Sequence, residues 1–232
     1  MIPKVIKVCG LTHTDNIQKI ENIGADWIGL ILWNGSVRYI SPEVAEKIIT
    51  YRQRLQSNTK NTAFVGVFVN EAQDEILRWT EKKLFDIIQL HGKESSDFCF
   101  RLQEQIQKEQ QKTIPIIKAF AIATPKDLTE TKNFETCCDY FLFDTKSSLP
   151  GGNGISFDWN ILNDYTGNIP FLISGGIRPT DIEKILSFQH PACIGIDINS
   201  QFEIYPGEKD TEKIKKFIQS LRSVRSNKLP II

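Results

Sequence analysis

The chain has 232 residues, 41% of them hydrophobic, and its 28 Lys and Arg are cancelled by 28 Asp and Glu. That balance excludes a protein drawn to nucleic acid or to a membrane by its overall field, so an anionic ligand must be gripped by local charge and backbone dipoles. Five cysteines, Cys9, Cys99, Cys137, Cys138 and Cys193, are odd in number and contain no C-x-x-C, which argues against both a disulfide framework and a zinc site.

The first element is VIKVCGL, within MIPKVIKVCG. Lys4 and Lys7 fall where a signal peptide would need apolar residues, and no run of about 18 apolar residues occurs, so a cytoplasmic protein without a membrane span is expected. A helical stripe of Ile17, Ile20 and Ile23 follows, then the strand WIGLIL. Ser41-Pro42 starts a helix striped by Val44, Ile48, Ile49 and Leu55, Ser capping and Pro taking the first helical position. FVGVFV is the third strand, Ile76, Leu77 and Leu84 the third stripe, and DIIQLHG the fourth strand. The helix of Phe98, Leu102 and Ile106 ends in QEQIQKEQQK, read as a solvated face.

IPIIKAFA is the fifth strand, and Thr124-Pro125 with Asp127 caps a weakly patterned segment around Leu128. YFLFDT is the sixth, followed by another weak segment near Leu162. PFLISGG is the seventh, and Thr180 with Glu183 reads as the cap of a helix carrying Ile182, Ile185 and Leu186. CIGIDIN is the eighth, and Ile214, Phe217, Ile218 and Leu221 stripe the last helix. Alternation of strand and helix eight times, at roughly 29 residues per unit, predicts an α/β protein: one (β/α)8 TIM barrel domain over residues 1–232.

Barrels of this kind place chemistry at the C-terminal ends of their strands and commonly bind phosphate with the loops after strands seven and eight. Gly175 and Gly176 let backbone N–H groups surround an anion, with a plain tight turn as the alternative. The loop DINSQFE, through Asn199 and Ser200, aims further N–H groups at the same place. Cys9 ends the first strand with Lys7 on the same side, and a nearby ammonium favours the thiolate; a buried core cysteine is the alternative. Asp144, alone at the end of the sixth strand, faces Cys9 from far round the ring, so one base and one acid emerge. Gln89 and His91 share the inward parity of the fourth strand, although a histidine so placed also serves as a structural hydrogen-bonding group. Arg38, in WNGSVRYISPE, lies on a loop over the mouth where a guanidinium pairs a carboxylate.

In order, KVCGLT, SVRYISPE, GVFVN, IQLHG, DTK with GGNGISFDW, LISGGI and IDINSQFEIYPGEKD span Val5 to about Asp210. Together they resemble the phosphoribosylanthranilate isomerase family of tryptophan biosynthesis. The resemblance implies an Amadori rearrangement of a small phosphosugar, an aminoaldose becoming an aminoketose, with Asp144 as the acid and Cys9 as the base and no metal or organic cofactor. It also implies that Gly175, Gly176, Asn199 and Ser200 hold the phosphate and that Arg38 faces the anthranilate carboxylate. Gln89, His91 and Asp197 would stand near the substrate, and Gly152 and Gly154 would belong to a flap. Asn199 and Gln201 stand where the family commonly has Ser and Gly. A different phosphosugar barrel, or a sugar-phosphate binder without catalysis, remains the alternative; an indole-forming synthase would want a Lys acid, and Lys118 lies on the fifth strand.

Overall fold

Short β-branched runs too brief for helices pair edge to edge and close on themselves. In the computed structural model, which describes residues 1–55, 62–145 and 158–226, the strands are Val5–Cys9 (β1), Trp27–Ile31 (β2), Ala63–Phe68 (β3), Ile87–Leu90 (β4), Ile116–Ile122 (β5), Tyr140–Thr145 (β6), Phe171–Ile173 (β7) and Cys193–Ile198 (β8). All eight are parallel and form a closed barrel in chain order. Closure joins β8 to β1 with Lys7 opposite Asp197, while Cys9 pairs with Gly29 across β1 and β2. The expected (β/α)8 architecture is present.

Because side chains alternate along a strand, two cores arise. Val65, Val67, Ile87, Ile117, Ala119, Leu142 and Leu172 fill the barrel together with Cys9. Ile6, Val8, Ile28, Leu30, Ile88 and Phe141 face the surrounding helices. Trp27 and Tyr140, the first residues of their strands, meet edge to face at 5.2 Å and close the N-terminal end.

The helices are Thr14–Ile23 (α1), Pro42–Leu55 (α2), Gln73–Glu81 (α3), Ser96–Gln110 (α4), Ile182–Ser187 (α5) and Thr211–Ser226 (α6). Ser41 Oγ accepts the Val44 N–H at 3.3 Å, as its position before Pro42 predicts. Among the described residues no helix is long and apolar enough to cross a membrane.

The two weakly patterned segments are 3-10 turns, Pro125–Phe134 and Trp159–Asp164. The first buries Leu128, Thr131 and Phe134, a spacing of three that suits three residues per turn and not 3.6. Its start is as expected, since the Asp127 carboxylate accepts the Thr124 N–H at 2.8 Å. Thin turns leave space that aromatic rings fill: Phe120 meets Phe134 at 5.2 Å, and Phe143 meets Tyr165 at 5.3 Å and Phe171 at 4.7 Å.

Thr180 does not cap α5. The residue before that helix is Asp181, whose carboxylate instead accepts the Arg178 N–H at 2.7 Å while its own N–H bonds Arg178 O. This preceding turn delays the helix and takes Thr180 out of the capping position. After β8 comes a 3-10 turn, Ser200–Phe202, and then a hairpin, Glu203–Tyr205 (β9) and Glu208–Lys209 (β10), closed through Gly207 at φ +94°.

Candidate active site

The C-terminal mouth of the barrel begins with a buried ion pair. Lys7 is fully buried and its Nζ lies 3.0 Å from Asp197 Oδ2, the two strands being held in register by the β1–β8 ladder. Burial pushes the ammonium down, yet Asp197 and Cys9 together hold Lys7 above its ordinary value. Burial raises the Asp197 carboxyl; Lys7 opposes this and Asp144 adds to it. Asp197 Oδ1 has no hydrogen-bond partner among the described residues. Removing one member of such a pair strands a buried charge, which costs about 3–5 kcal/mol. Lys7→Met is therefore expected to lower the denaturant midpoint sharply, since total stability is only about 5–15 kcal/mol. An unchanged midpoint in chemical unfolding would show that the pair contributes nothing.

Cys9 sits two residues beyond Lys7 and is 5% exposed. Gly29 makes room for it, because a Cβ at that position would lie 2.6 Å from Cys9 Sγ. The expectation that Lys7 leaves the thiol readily ionised holds only in part. Burial raises the thiol most; Lys7 pulls it down, Asp197 pushes it up again, and the net direction is upward. The ammonium expected to serve Cys9 is shared with Asp197.

Asp144 stands at the opposite rim. Its Oδ1 accepts the Thr145 N–H at 2.8 Å, and its Oδ2 lies 3.3 Å from His91 Nε2. Gln89 Nε2, which can only donate, is 2.7 Å from His91 Nδ1. His91 Nε2, on the other side of the ring, faces Asp144. Gln89, His91 and Asp144 thus form one chain across β4 and β6, with Gln89 Oε1 buried and without a partner among the described residues.

Gly175 and Gly176 both have left-handed backbones, φ +87° and +62°. Gly175 also backs onto Asp144, since a Cβ there would lie 2.6 Å from Asp144 Oδ1 and 2.7 Å from the Thr145 nitrogen. Two successive residues at positive φ make a turn that glycine adopts without steric cost. Ser200 opens the 3-10 turn after β8, and Gln201 within it is not left-handed, so a side chain fits where the family commonly has glycine.

Arg38 is not an isolated surface charge. Its Nε and one terminal nitrogen grip Glu203 at 2.8 and 2.6 Å. Lys209, fully buried at its side chain, donates to Glu203 Oε1 and Asn199 Oδ1, both at 2.6 Å. Burial alone would raise the Glu203 carboxyl, but Arg38, Lys209 and the Gly207 N–H hold it below the usual range. The Arg38 and Asn199 side chains meet over Gly10, whose φ is +79° and where a Cβ would lie 2.7 Å from Arg38 Cδ and 2.9 Å from Asn199 Oδ1. Glu203 and Lys209 were missed in the sequence reading. The signal for them was Pro206-Gly207, a turn dipeptide that folds their two short strands together.

Two positions of the sequence reading, Gly152 and Gly154, lie outside the described residues. Lys118, weighed as an acid, points away from the barrel interior because Ile117 and Ala119 point in. Its Nζ is taken by Gly92 O at 2.8 Å, Ala119 O at 3.0 Å and Glu94 at 3.2 Å, and Glu94 in turn accepts the Asn70 and Gly92 N–H groups. It staples loops and does not serve the mouth.

Fold and mouth together define the class: a (β/α)8 barrel whose ionisable groups and left-handed glycines gather over the C-terminal ends of its strands, where such barrels carry their active sites. Residues 6–220 match the family model described as N-(5'phosphoribosyl)anthranilate (PRA) isomerase. The N-(5'-phosphoribosyl)anthranilate isomerase of Parabacteroides distasonis is 42% identical over 217 residues, 94% of this chain and 93% of that protein. The crystal structure of phosphoribosyl anthranilate isomerase from Thermotoga maritima has a TM-score of 0.78 at 29% identity, covering 96% of this chain and all of that one. A further structure of the enzyme, in complex with reduced 1-(o-carboxyphenylamino)-1-deoxyribulose 5-phosphate, has a TM-score of 0.74 at 27% identity, covering 96% of this chain and 100% of that one. The chain belongs to the N-(5'-phosphoribosyl)anthranilate isomerase family.

Proposed function

We propose that the protein carries out the reaction of its family, the Amadori rearrangement of N-(5'-phosphoribosyl)anthranilate to 1-(o-carboxyphenylamino)-1-deoxyribulose 5-phosphate, as one catalytic domain in the cytoplasm. The observation that carries this reading is the placement of Cys9 and Asp144 at inward-facing strand ends, each electrostatically coupled to the same Asp197. The acid, Asp144, protonates the furanose ring oxygen, the C1–O bond breaks, and the ring opens to an iminium. Cys9, as thiolate, takes the proton from C2, and the electron pair moves onto the nitrogen to leave an enolamine, which tautomerises to the ketone. The iminium itself is the electron sink, so the steps proceed with side-chain proton transfers alone.

The remaining groups bind. Gly175, Gly176, Asn199 and Ser200 surround the phosphate with backbone N–H groups. Asp197 Oδ1 and Gln89 Oε1, buried acceptors lacking partners among the described residues, are suited to the hydroxyls of the opened sugar, since an unsatisfied buried acceptor is costly. His91 positions Asp144. Glu203 occupies only one edge of Arg38, leaving the other edge of the five-donor guanidinium to receive the anthranilate carboxylate.

The test is a fluorescence assay following consumption of freshly generated phosphoribosylanthranilate. Absence of turnover by folded protein would reduce the reading to a sugar-phosphate binder. In the same assay Arg38→Ala is expected to raise KM by roughly 10- to 100-fold, the worth of a hydrogen bond to a charged group. Its effect on kcat should be smaller, because the carboxylate is remote from the bonds that change and is held equally in ground and transition states. An unchanged KM would remove Arg38 from the substrate site.

A further inference from the structure

Three of the five cysteines, outside the barrel interior, converge. Cys99 lies in the first turn of α4, and Cys137 and Cys138 lie just before β6. Their Sγ atoms are all within 4.8 Å of one another, and the residues are 0, 2 and 6% exposed. They belong to the core between barrel and helices, whereas Cys9 belongs to the barrel interior. The proposed reaction uses none of them, and as packing alone three adjoining thiols have no advantage over Ala or Val.

We propose that Cys99, Cys137 and Cys138 form a three-thiolate site for one soft, thiophilic cation, Cu(I) among the common biological metals. A metal bonded to three sulfurs at about 2.3 Å in one plane sets them about 4.0 Å apart, inside the 4.8 Å limit that encloses all three. Soft thiolate ligands select Cu(I), zinc or iron–sulfur centres. Structural zinc completes a tetrahedron, and among the described residues no fourth His, Cys, Asp or Glu joins the group. Each ligating thiol releases its proton to water as the metal binds. Cu(I) with three thiolates carries two net negative charges; the Lys118 ammonium acts favourably on Cys99, and its ion-pair partner Glu94 opposes it.

The test titrates the anaerobically reduced full chain with Cu(I) against a chromogenic Cu(I) chelator. One Cu(I) per chain is expected to be retained, with sulfur-to-copper charge-transfer absorption in the ultraviolet and a raised melting temperature. Cys99→Ala and Cys138→Ala should each weaken binding by more than about 100-fold, beyond the loss from an outer-shell partner. Cys193→Ala and Cys9→Ala should bind as the wild type does, with circular dichroism reporting the fold of every variant. X-ray absorption of the copper-loaded wild type covers the case in which a cluster variant fails to fold: three sulfur neighbours at about 2.3 Å are expected. Two sulfur neighbours, nitrogen or oxygen neighbours, or copper lost from Cys9→Ala would each overturn the proposal. So would reduced protein that binds no Cu(I) but forms a disulfide within the trio in air.

Discussion

Cys9→Ala is expected to lower kcat by at least about 10⁴-fold while the barrel stays folded. General acid–base contributions are typically about 10²- to 10⁴-fold, and an essential base with no understudy belongs at or beyond the upper end. Lys7, its inward neighbour, cannot substitute, because its Nζ is bonded to Asp197 at 3.0 Å inside the core. The substitution removes one sulfur from a site already shaped around Gly29, so the stability loss should be about 1 kcal/mol, an ordinary value for a point mutation. Turnover within tenfold of wild type, by the fluorescence assay on protein with an unchanged far-ultraviolet spectrum, would dismiss Cys9 as the base.

Asp144→Asn preserves shape but has no carboxylic proton to give, and it is expected to cost kcat roughly 10²- to 10⁴-fold with little change in KM. The pH dependence carries a sharper signature. The reactive form is thiolate plus carboxylic acid. Where the thiol is the weaker acid of such a pair, that form differs from the resting one only in the location of a single proton, so its share does not vary with pH until the thiol titrates. Above that point a second proton is lost and the rate falls about tenfold per pH unit. Burial raises the Cys9 thiol, so the fall should begin above about pH 8.5, the ordinary thiol value. In Asp144→Asn only the thiol titrates, and the residual rate should instead rise with pH across the same range. A residual rate that still falls there would assign the acid to another residue.

The parts legible from the amino-acid order are those governed by local pattern. Eight strands announce themselves because parallel strands buried on both faces read as continuous apolar runs, and Cys9 and Asp144 announce themselves because each is the polar residue at which such a run stops. The 3-10 segment 125–134 was weak to a reading tuned to 3.6 residues per turn, since its buried faces recur every three and include Thr131. Thr180 misled because Ser, Thr and Asp are all good caps, and only the turn through Arg178 decides that Asp181 stands at the helix. Glu203 and Lys209 were invisible for a different reason. Glu and Lys are ordinarily exposed, and their burial follows from a hairpin laid across the mouth by the chain after β8. The thiol was misjudged through competition: alternation places Lys7 on the side of Cys9, but pairing with Asp197 depends on strands at opposite ends of the sequence.

The hydrogen-bond chain Arg38–Glu203–Lys209–Asn199 couples the loop after β2 to the loop after β8. Under the proposed function the anthranilate carboxylate goes to the first member and the phosphate to the loop of the last, so the two ends of one substrate would be wired through shared protein partners. Glu203 has two cations to satisfy, and any carboxylate that draws Arg38 outward leaves it more to Lys209, which then holds Asn199 differently. Whatever factor an occupied phosphate loop imposes on carboxylate affinity must reappear, equal in size, in the opposite direction. Calorimetric titration of free anthranilate with and without inorganic phosphate reads that factor directly; a value of one would mean that the chain is a brace and transmits nothing.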